Sequence, residues 1–85
     1  MTEDEAAEWM KQQVEERGWL YQEYAARHLA GFDDERLSYF DQEGNRCLGK
    51  KVLAAFRKKT PDVVYERADK RWRKRKDRDT PGRQQ

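Results

Sequence analysis

Apolar residues recur at helical spacing in the first part of the chain. The positions that share this stripe are Ala6, Trp9, Met10 and Val14. An apolar stripe of this period, with polar residues on the other side, is typical of an amphipathic helix. Thr2 and Glu5 have the spacing of a capping box, and Gly18 suits a left-handed helix end. The pattern therefore predicts a first helix over about residues 3–17.

Two more helices are predicted further along. Residues 21–30 place aromatic and aliphatic side chains at helical intervals, and Gly31 is expected to end this helix as Gly18 ends the first. The third helix begins near Asn45 or Gly49 and ends at Thr60, because the residue before a proline avoids the α region. Its apolar face comprises Leu48, Val52, Leu53 and Phe56, and its opposite face comprises Lys50, Lys51, Ala54, Arg57 and Lys58.

The remaining segments have extended character. Residues 37–40 favour a strand and residues 42–45 a turn. Val63–Glu66 and residues 71–75 predict a C-terminal two-stranded β-hairpin with Tyr65 opposite Trp72. The predicted core consists of Trp9, Met10, Val14, Leu20, Leu29, Val52, Leu53, Phe56, Val64 or Tyr65, and Trp72.

This order of elements resembles the winged-helix fold, an α+β class with three helices and a C-terminal hairpin. The resemblance implies one domain over residues 1–76, followed by a polar tail at 77–85 that we expect to be flexible. In that family the third helix commonly enters a DNA groove and the hairpin, the wing, contacts the flanking backbone. Here residues 32–49 separate the second and third helices, a longer connection than in a compact helix-turn-helix.

A narrower resemblance rests on short segments spread along the chain. These segments are 20–23, 44–45, 52–57, 63–67 and 71–73. They look like those of a small bacterial family of uncharacterised proteins. That resemblance implies one compact domain and carries no assigned activity.

The charge is divided between the two halves of the chain. Residues 1–43 carry a formal charge of −8 and residues 44–85 carry +10, which together give the net charge of +2. Such asymmetry indicates a surface that faces a polyanion. The basic candidates on the third helix and the hairpin are Lys50, Lys51, Arg57, Lys58, Arg71, Arg73, Lys74 and Arg75. Clustered basic groups release counterions when they meet phosphates, so we expect a nucleic-acid partner, most simply duplex DNA.

Alternatives follow from the same charge pattern. The acidic half, with Glu15, Glu16 and Glu23, fits a protein-interaction module or a DNA mimic, and the opposed charges fit a homodimer. Single-stranded or RNA binding is favoured if Trp72 is exposed. We expect Trp72 to pack inward instead, since strand alternation then directs the neighbouring arginines outward.

Other classes of function lack their residues in this sequence. Cys47 is the single cysteine and His28 the single histidine, so neither a disulfide nor a Cys/His zinc site is expected. No phosphate-binding glycine loop or nucleophile elbow is present. We therefore expect no cofactor and no enzymatic activity. The polar start and the short apolar runs predict a cytoplasmic protein with no membrane partner.

Overall fold

The computed structural model describes residues 1–74, which form three helices and five short strands. In chain order the elements are α1 (Glu3–Arg17), β1 (Trp19–Tyr21), α2 (Gln22–Ala30), β2 (Ser38–Phe40), β3 (Arg46–Leu48), α3 (Lys50–Lys59), β4 (Val63–Glu66) and β5 (Arg71–Lys74). The strands form an antiparallel sheet of order β1-β5-β4 and a separate antiparallel pair, β2-β3. The α+β class expected from the sequence is therefore correct.

Both ends of α1 follow the sequence prediction. The Thr2 hydroxyl accepts a hydrogen bond from the Glu5 amide at 3.1 Å, and the Glu5 carboxylate accepts one from the Thr2 amide at 2.8 Å. Gly18 ends the helix with φ at 84°, a left-handed conformation that favours glycine. Gly31 ends α2 as expected, but it does not adopt the left-handed conformation of Gly18. Its φ is −63°, because the chain leaves α2 through a turn in which the Phe32 amide donates to Leu29.

The three-stranded sheet joins the two ends of the described chain. Leu20 of β1, Trp72 of β5 and Tyr65 of β4 lie side by side in one row across it, so the predicted pairing of Tyr65 with Trp72 is confirmed. The sequence predicted that β4 and β5 pair with each other as a two-stranded hairpin. It did not show that β1 pairs with the other edge of β5, because three residues are too few to reveal a partner.

Helices α1 and α3 pack on this row of side chains. Phe56 of α3 is 1% exposed and meets Trp72 edge-to-face, with ring centroids 5.2 Å apart. Trp72 is 8% exposed, which confirms the expectation that it packs inward. Trp9 and Leu53 were predicted as core residues, yet they are only partly buried and pack against the margin of the core. Of the two alternatives Val64 and Tyr65, Val64 is the buried one, at 4% exposed.

Small residues supply much of the core that the sequence analysis missed. The buried residues absent from the predicted core are Ala6, Ala7, Ala25, Ala26, Leu37 and Leu48. The alanines lie on the inner faces of α1 and α2, where short side chains let the backbones approach closely. Leu48 was assigned to the third helix, but it lies in β3 and helix α3 begins two residues later.

The segment between α2 and α3 is held by a close backbone contact at Gly49. The Gly49 amide donates to the Leu37 carbonyl at 2.9 Å, and Gly49 is itself the N-cap of α3. A Cβ atom at this position would lie 1.8 Å from the Arg36 carbonyl oxygen. Only glycine fits, so this contact fixes where α3 begins relative to the β2-β3 pair.

Replacing Phe56 with alanine should cost about 3–5 kcal/mol of unfolding free energy, because it opens a cavity beside Trp72. Urea denaturation followed by tryptophan fluorescence measures the change. Phe40→Ala is the matched control, since Phe40 is 60% exposed and its removal leaves no cavity. Equal midpoints for the two variants would contradict the placement of Phe56 in the core.

Gly49→Ala should destabilise the fold severely, because the new methyl group collides with backbone that cannot rotate away. Gly31→Ala is the matched control. Gly31 has an ordinary helical φ, and its nearest neighbour would lie 3.3 Å from the added Cβ. Thermal melts monitored by circular dichroism should show a large drop in Tm for Gly49→Ala alone. A parent-like Tm for that variant would show that the contact does not exist in solution.

Candidate nucleic-acid interface

The outward face of α3 is a continuous basic surface. Four of the predicted site residues are exposed on it, namely Lys50, Lys51, Arg57 and Lys58. At about 100° of rotation per residue they span an arc of about 120°, centred on the exposed Ala54. We call this surface the α3 basic arc. The opposite side of the helix carries Val52 and Phe56, both buried.

The arc borders different elements on its two sides. Arg57 forms part of the wall of a groove of about 370 Å³ between α3 and β4, together with Leu53, Val63 and Tyr65. Lys51 and Lys58 lie on the other side, next to Asp4 at the start of α1. The arc thus runs from the edge of the sheet to the N-terminus of the first helix.

Local electrostatics of the helix do not account for these basic residues. Among residues 1–74, none of the four forms an ion pair. Lys50 and Lys51 occupy the first turn of α3, which contains no acidic residue and has no side-chain cap. Cations are unfavourable at this end of a helix, since the helix dipole is positive there. By contrast, the first turn of α1 contains three acidic residues.

The basic residues of β5 have a partner inside the fold. Glu66 on β4 accepts a hydrogen bond from Arg71 at 2.6 Å, and Arg73 lies 3.3 Å from the same carboxylate oxygen. These bonds hold the pKa of the Glu66 carboxyl below its usual value, and the hydrogen bond from Arg71 contributes most. Lys74 is exposed, and Arg75 lies outside the described residues. The structure therefore does not bring all eight predicted residues together on one free surface.

The pairing of Arg71 and Arg73 with Glu66 could have been predicted from the sequence. Once Tyr65 is placed opposite Trp72, an antiparallel ladder puts Glu66 opposite Arg71, and the structure has this register. Opposite charges at directly facing positions attract each other. Arg71 and Arg73 were expected to be available cations because the predicted register was used for the aromatic pair and not for the charged residues beside it.

Most carboxylates of the acidic half also have local partners. Lys59 lies 3.2 Å from Asp4 and 3.3 Å from Glu8, which links α3 to α1 and raises the pKa of Lys59, the bond to Asp4 contributing most. Glu15 pairs with Lys11, and Glu23 pairs with Arg27. Of the acidic residues proposed from the sequence, Glu15 and Glu23 therefore have ion-pair partners, whereas Glu16 is exposed and forms no ion pair among residues 1–74.

The turn before β2 contains the most perturbed carboxylate. Arg36 donates two side-chain nitrogens and its amide to Asp34, at distances between 2.6 and 3.1 Å. The side-chain hydrogen bonds from Arg36 lower the pKa of Asp34 to about 2. Arg36 also lies 3.9 Å from Glu3. This pair therefore ties the turn to α1 and has no direct connection to the basic arc.

The other residues considered from the sequence have packing roles. His28 is exposed and stacks on Trp9, with ring centroids 4.0 Å apart. Cys47 is half-buried, as expected, near Asp41. Within residues 1–74, no group of three or more His, Cys, Asp or Glu side chains is arranged to hold a metal ion. Every helix in that part of the chain is too short or too polar to cross a membrane.

Within residues 1–74, fold and surface define a small α+β domain in which the exposed basic residues of α3 form no ion pair. By its sequence the chain belongs to a family of unknown function, DUF6953, whose family model matches residues 2–74. That match confirms the expected small uncharacterised family and covers nearly all the described residues. No curated protein and no solved structure gave a significant match to the chain.

Replacing Arg36 with glutamine should return the pKa of Asp34 from about 2 towards its ordinary 3.8, because the charged donors are removed. A carboxyl NMR titration measures this directly. Asp41 is the internal control. Its pKa is held down mainly by the amide of Asn45, which the substitution leaves in place. An Asp34 pKa that stayed near 2 would contradict the Arg36 contact.

The same pair predicts the direction of one pH effect on stability. Because the folded pKa of Asp34 is depressed, its stabilising contribution is present above about pH 4 and is lost as the pH falls towards 2. Asp34→Asn should remove this part of the acid-induced destabilisation. Denaturation curves of the two proteins at pH 5 and at pH 2.5 make the comparison.

Proposed function

We propose that this protein is a small nucleic-acid-binding regulator that contacts the phosphates of duplex DNA through the α3 basic arc. The observation that carries the proposal is the first turn of α3. Two lysines lie there although the helix dipole disfavours them, and among residues 1–74 neither lysine forms an ion pair. A phosphate backbone is the type of ligand that would make this arrangement favourable.

A winged-helix assignment supports the same partner. The third helix precedes the β4-β5 pair, and β1 joins β5 to make a three-stranded sheet. In winged-helix proteins the third helix is the element that commonly enters a DNA groove. Ala54 lies at the centre of the α3 basic arc, where its small side chain allows close approach to a backbone. The β2-β3 pair takes the place of the short turn in a compact helix-turn-helix.

The proposal narrows the set of contact residues expected from the sequence. Lys50, Lys51, Arg57 and Lys58 form the contact surface. Arg71 and Arg73 serve mainly to hold Glu66, so their contribution to binding is smaller than their charge suggests. In the acidic half, ion pairs occupy Glu15, Glu23 and the start of α1, while Glu16 is exposed and forms no ion pair among residues 1–74.

The combined substitution Lys51→Ala and Lys58→Ala should weaken duplex binding about equally for all sequences, because phosphate contacts carry no sequence information. The slope of log affinity against log salt should become shallower by roughly one unit for each phosphate that is no longer neutralised. Fluorescence anisotropy with random duplex and single-stranded oligonucleotides at several salt concentrations measures both quantities. Lys11→Ala with Arg27→Ala is the charge-matched control on another surface, and it should bind nearly as the parent does.

The substitution Lys51→Glu should change stability and nucleic-acid affinity in opposite directions, so it separates an effect on binding from an effect on folding. It should raise the free energy of unfolding by about 0.3–1 kcal/mol at low salt, because an acid in the first turn suits the helix dipole. Binding should fall at the same time. If the parent binds neither oligonucleotide at low salt, the nucleic-acid proposal is wrong, and a protein-interaction module becomes the better account.

A further inference from the structure

A ladder of aromatic rings lies on the outer surface where α1 meets α2. Trp9 of α1 stacks on His28 of α2, with centroids 4.0 Å apart and planes within 4°. Trp9 also stacks on Tyr24 at 6.2 Å, and His28 meets the edge of Phe32 at 6.0 Å. We call Trp9, Tyr24, His28 and Phe32 the ring ladder. It is continuous from one end of α2 to the turn that follows it.

The ladder is exposed although it consists of large side chains. Tyr24 is 43% and Phe32 46% exposed, and His28 is exposed as well. The inner face of α2 is instead formed by Ala25, Ala26 and Leu29, all fully buried. Helix α2 therefore directs small residues inward and a stripe of aromatics, spaced by four, outward. The stack of Trp9 on His28 joins α1 to α2 within the chain, but Tyr24 and Phe32 leave nearly half of their surface exposed. Aromatic residues are enriched in protein–protein interfaces.

Charges of both signs surround the ladder. Arg17 lies over the Tyr24 ring, 5.2 Å from its centroid. Glu23 and Arg27 form an ion pair on the neighbouring ridge of α2, and both are largely exposed. A partner whose surface carried charges of a single sign would face a like charge from Arg17, Glu23 or Arg27 at the border of the ladder. A second copy related by a two-fold axis presents the same charges in the reverse order, so each sign can face its opposite.

We propose that the ring ladder is the contact surface of a homodimer, in which the ladders of two chains pack against each other around a two-fold axis. The ladder and the α3 basic arc lie on opposite sides of α1. Trp9 flanks the buried face of α1 on one side, and on the other side Asp4 contacts Lys59 of α3. The dimer therefore leaves both basic arcs uncovered. The proposal does not depend on nucleic-acid binding.

Sedimentation velocity of the full chain tests the dimer. Four rings make a small contact, and small interfaces belong to the weak class, so a range from about 1 µM to about 1 mM is needed. The parent should shift from monomer to dimer across this range. The double variant Tyr24→Ala with Phe32→Ala should remain monomeric throughout. Phe40→Ala is the matched control, because Phe40 is 60% exposed but lies outside the ladder, and it should associate as the parent does.

The effect of salt distinguishes dimerisation through the ring ladder from association of the acidic half of one chain with the basic half of another. Packing of rings should persist or strengthen between about 0.05 M and 0.5 M salt, whereas exposed ion pairs are screened. Tyr24→Phe keeps the ring and should retain the dimer. Tyr24→Glu gives a second disruptive variant that does not touch Phe32. Thermal melts should show that the variants remain folded.

Three results would overturn the proposal. The first is a parent that stays monomeric at about 1 mM. The second is association that survives both disruptive variants. The third is association that disappears at high salt or in the Lys51→Ala and Lys58→Ala variant, which would assign the contact to opposite charges. None of these measurements contains nucleic acid, so failure of the dimer is distinct from failure of the proposed function.

Discussion

The fold depends on the row formed by Leu20, Trp72 and Tyr65 across the three-stranded sheet. Trp72 lies on the central strand, so one side chain joins a strand near the start of the chain to one near its end. Phe56 packs against Trp72 from the side of the helices. With only 35% hydrophobic residues, the chain has few large groups to bury. The contact of Phe56 with Trp72, together with the packing of α3 along α1, fixes which face of α3 is directed outward.

The parts of this fold that could be predicted were those determined by local sequence. The capping box of Thr2, the end of α1 at Gly18 and the end of α3 before Pro61 each depend on residues within one turn of the helix. The pairing of Tyr65 with Trp72 followed from a short connection between two strands. These features depend on backbone preferences that act whatever the rest of the chain does.

The features that escaped prediction arise from contacts distant in sequence. Strand β1 is recognisable only through β5, and the strand Arg46–Leu48 only through β2. The requirement for glycine at 49 comes from the Arg36 carbonyl, which no local pattern reveals. At the candidate site, sequence correctly located the basic face of α3 because helical periodicity alone determines it. On the strands, Arg71 and Arg73 pair with Glu66, which follows from the predicted register once the charged positions of both strands are compared.

The division of charge along the chain has a spatial consequence for the candidate interface. Asp4 and Glu8 hold Lys59 on the side of α3 that faces α1, so the α3 basic arc is bounded there by carboxylates. The other boundary is the groove beside Arg57, whose lining is mostly apolar. A polyanion lying along the arc would meet repulsion from Asp4 and Glu8 on the α1 side, whereas Glu66 on the β4 side is paired with Arg71 and Arg73. Under the proposed function, the acidic half of the chain would restrict the approach of phosphate on the α1 side of α3, and this gives the opposed charges a role even where they form no contact with a partner.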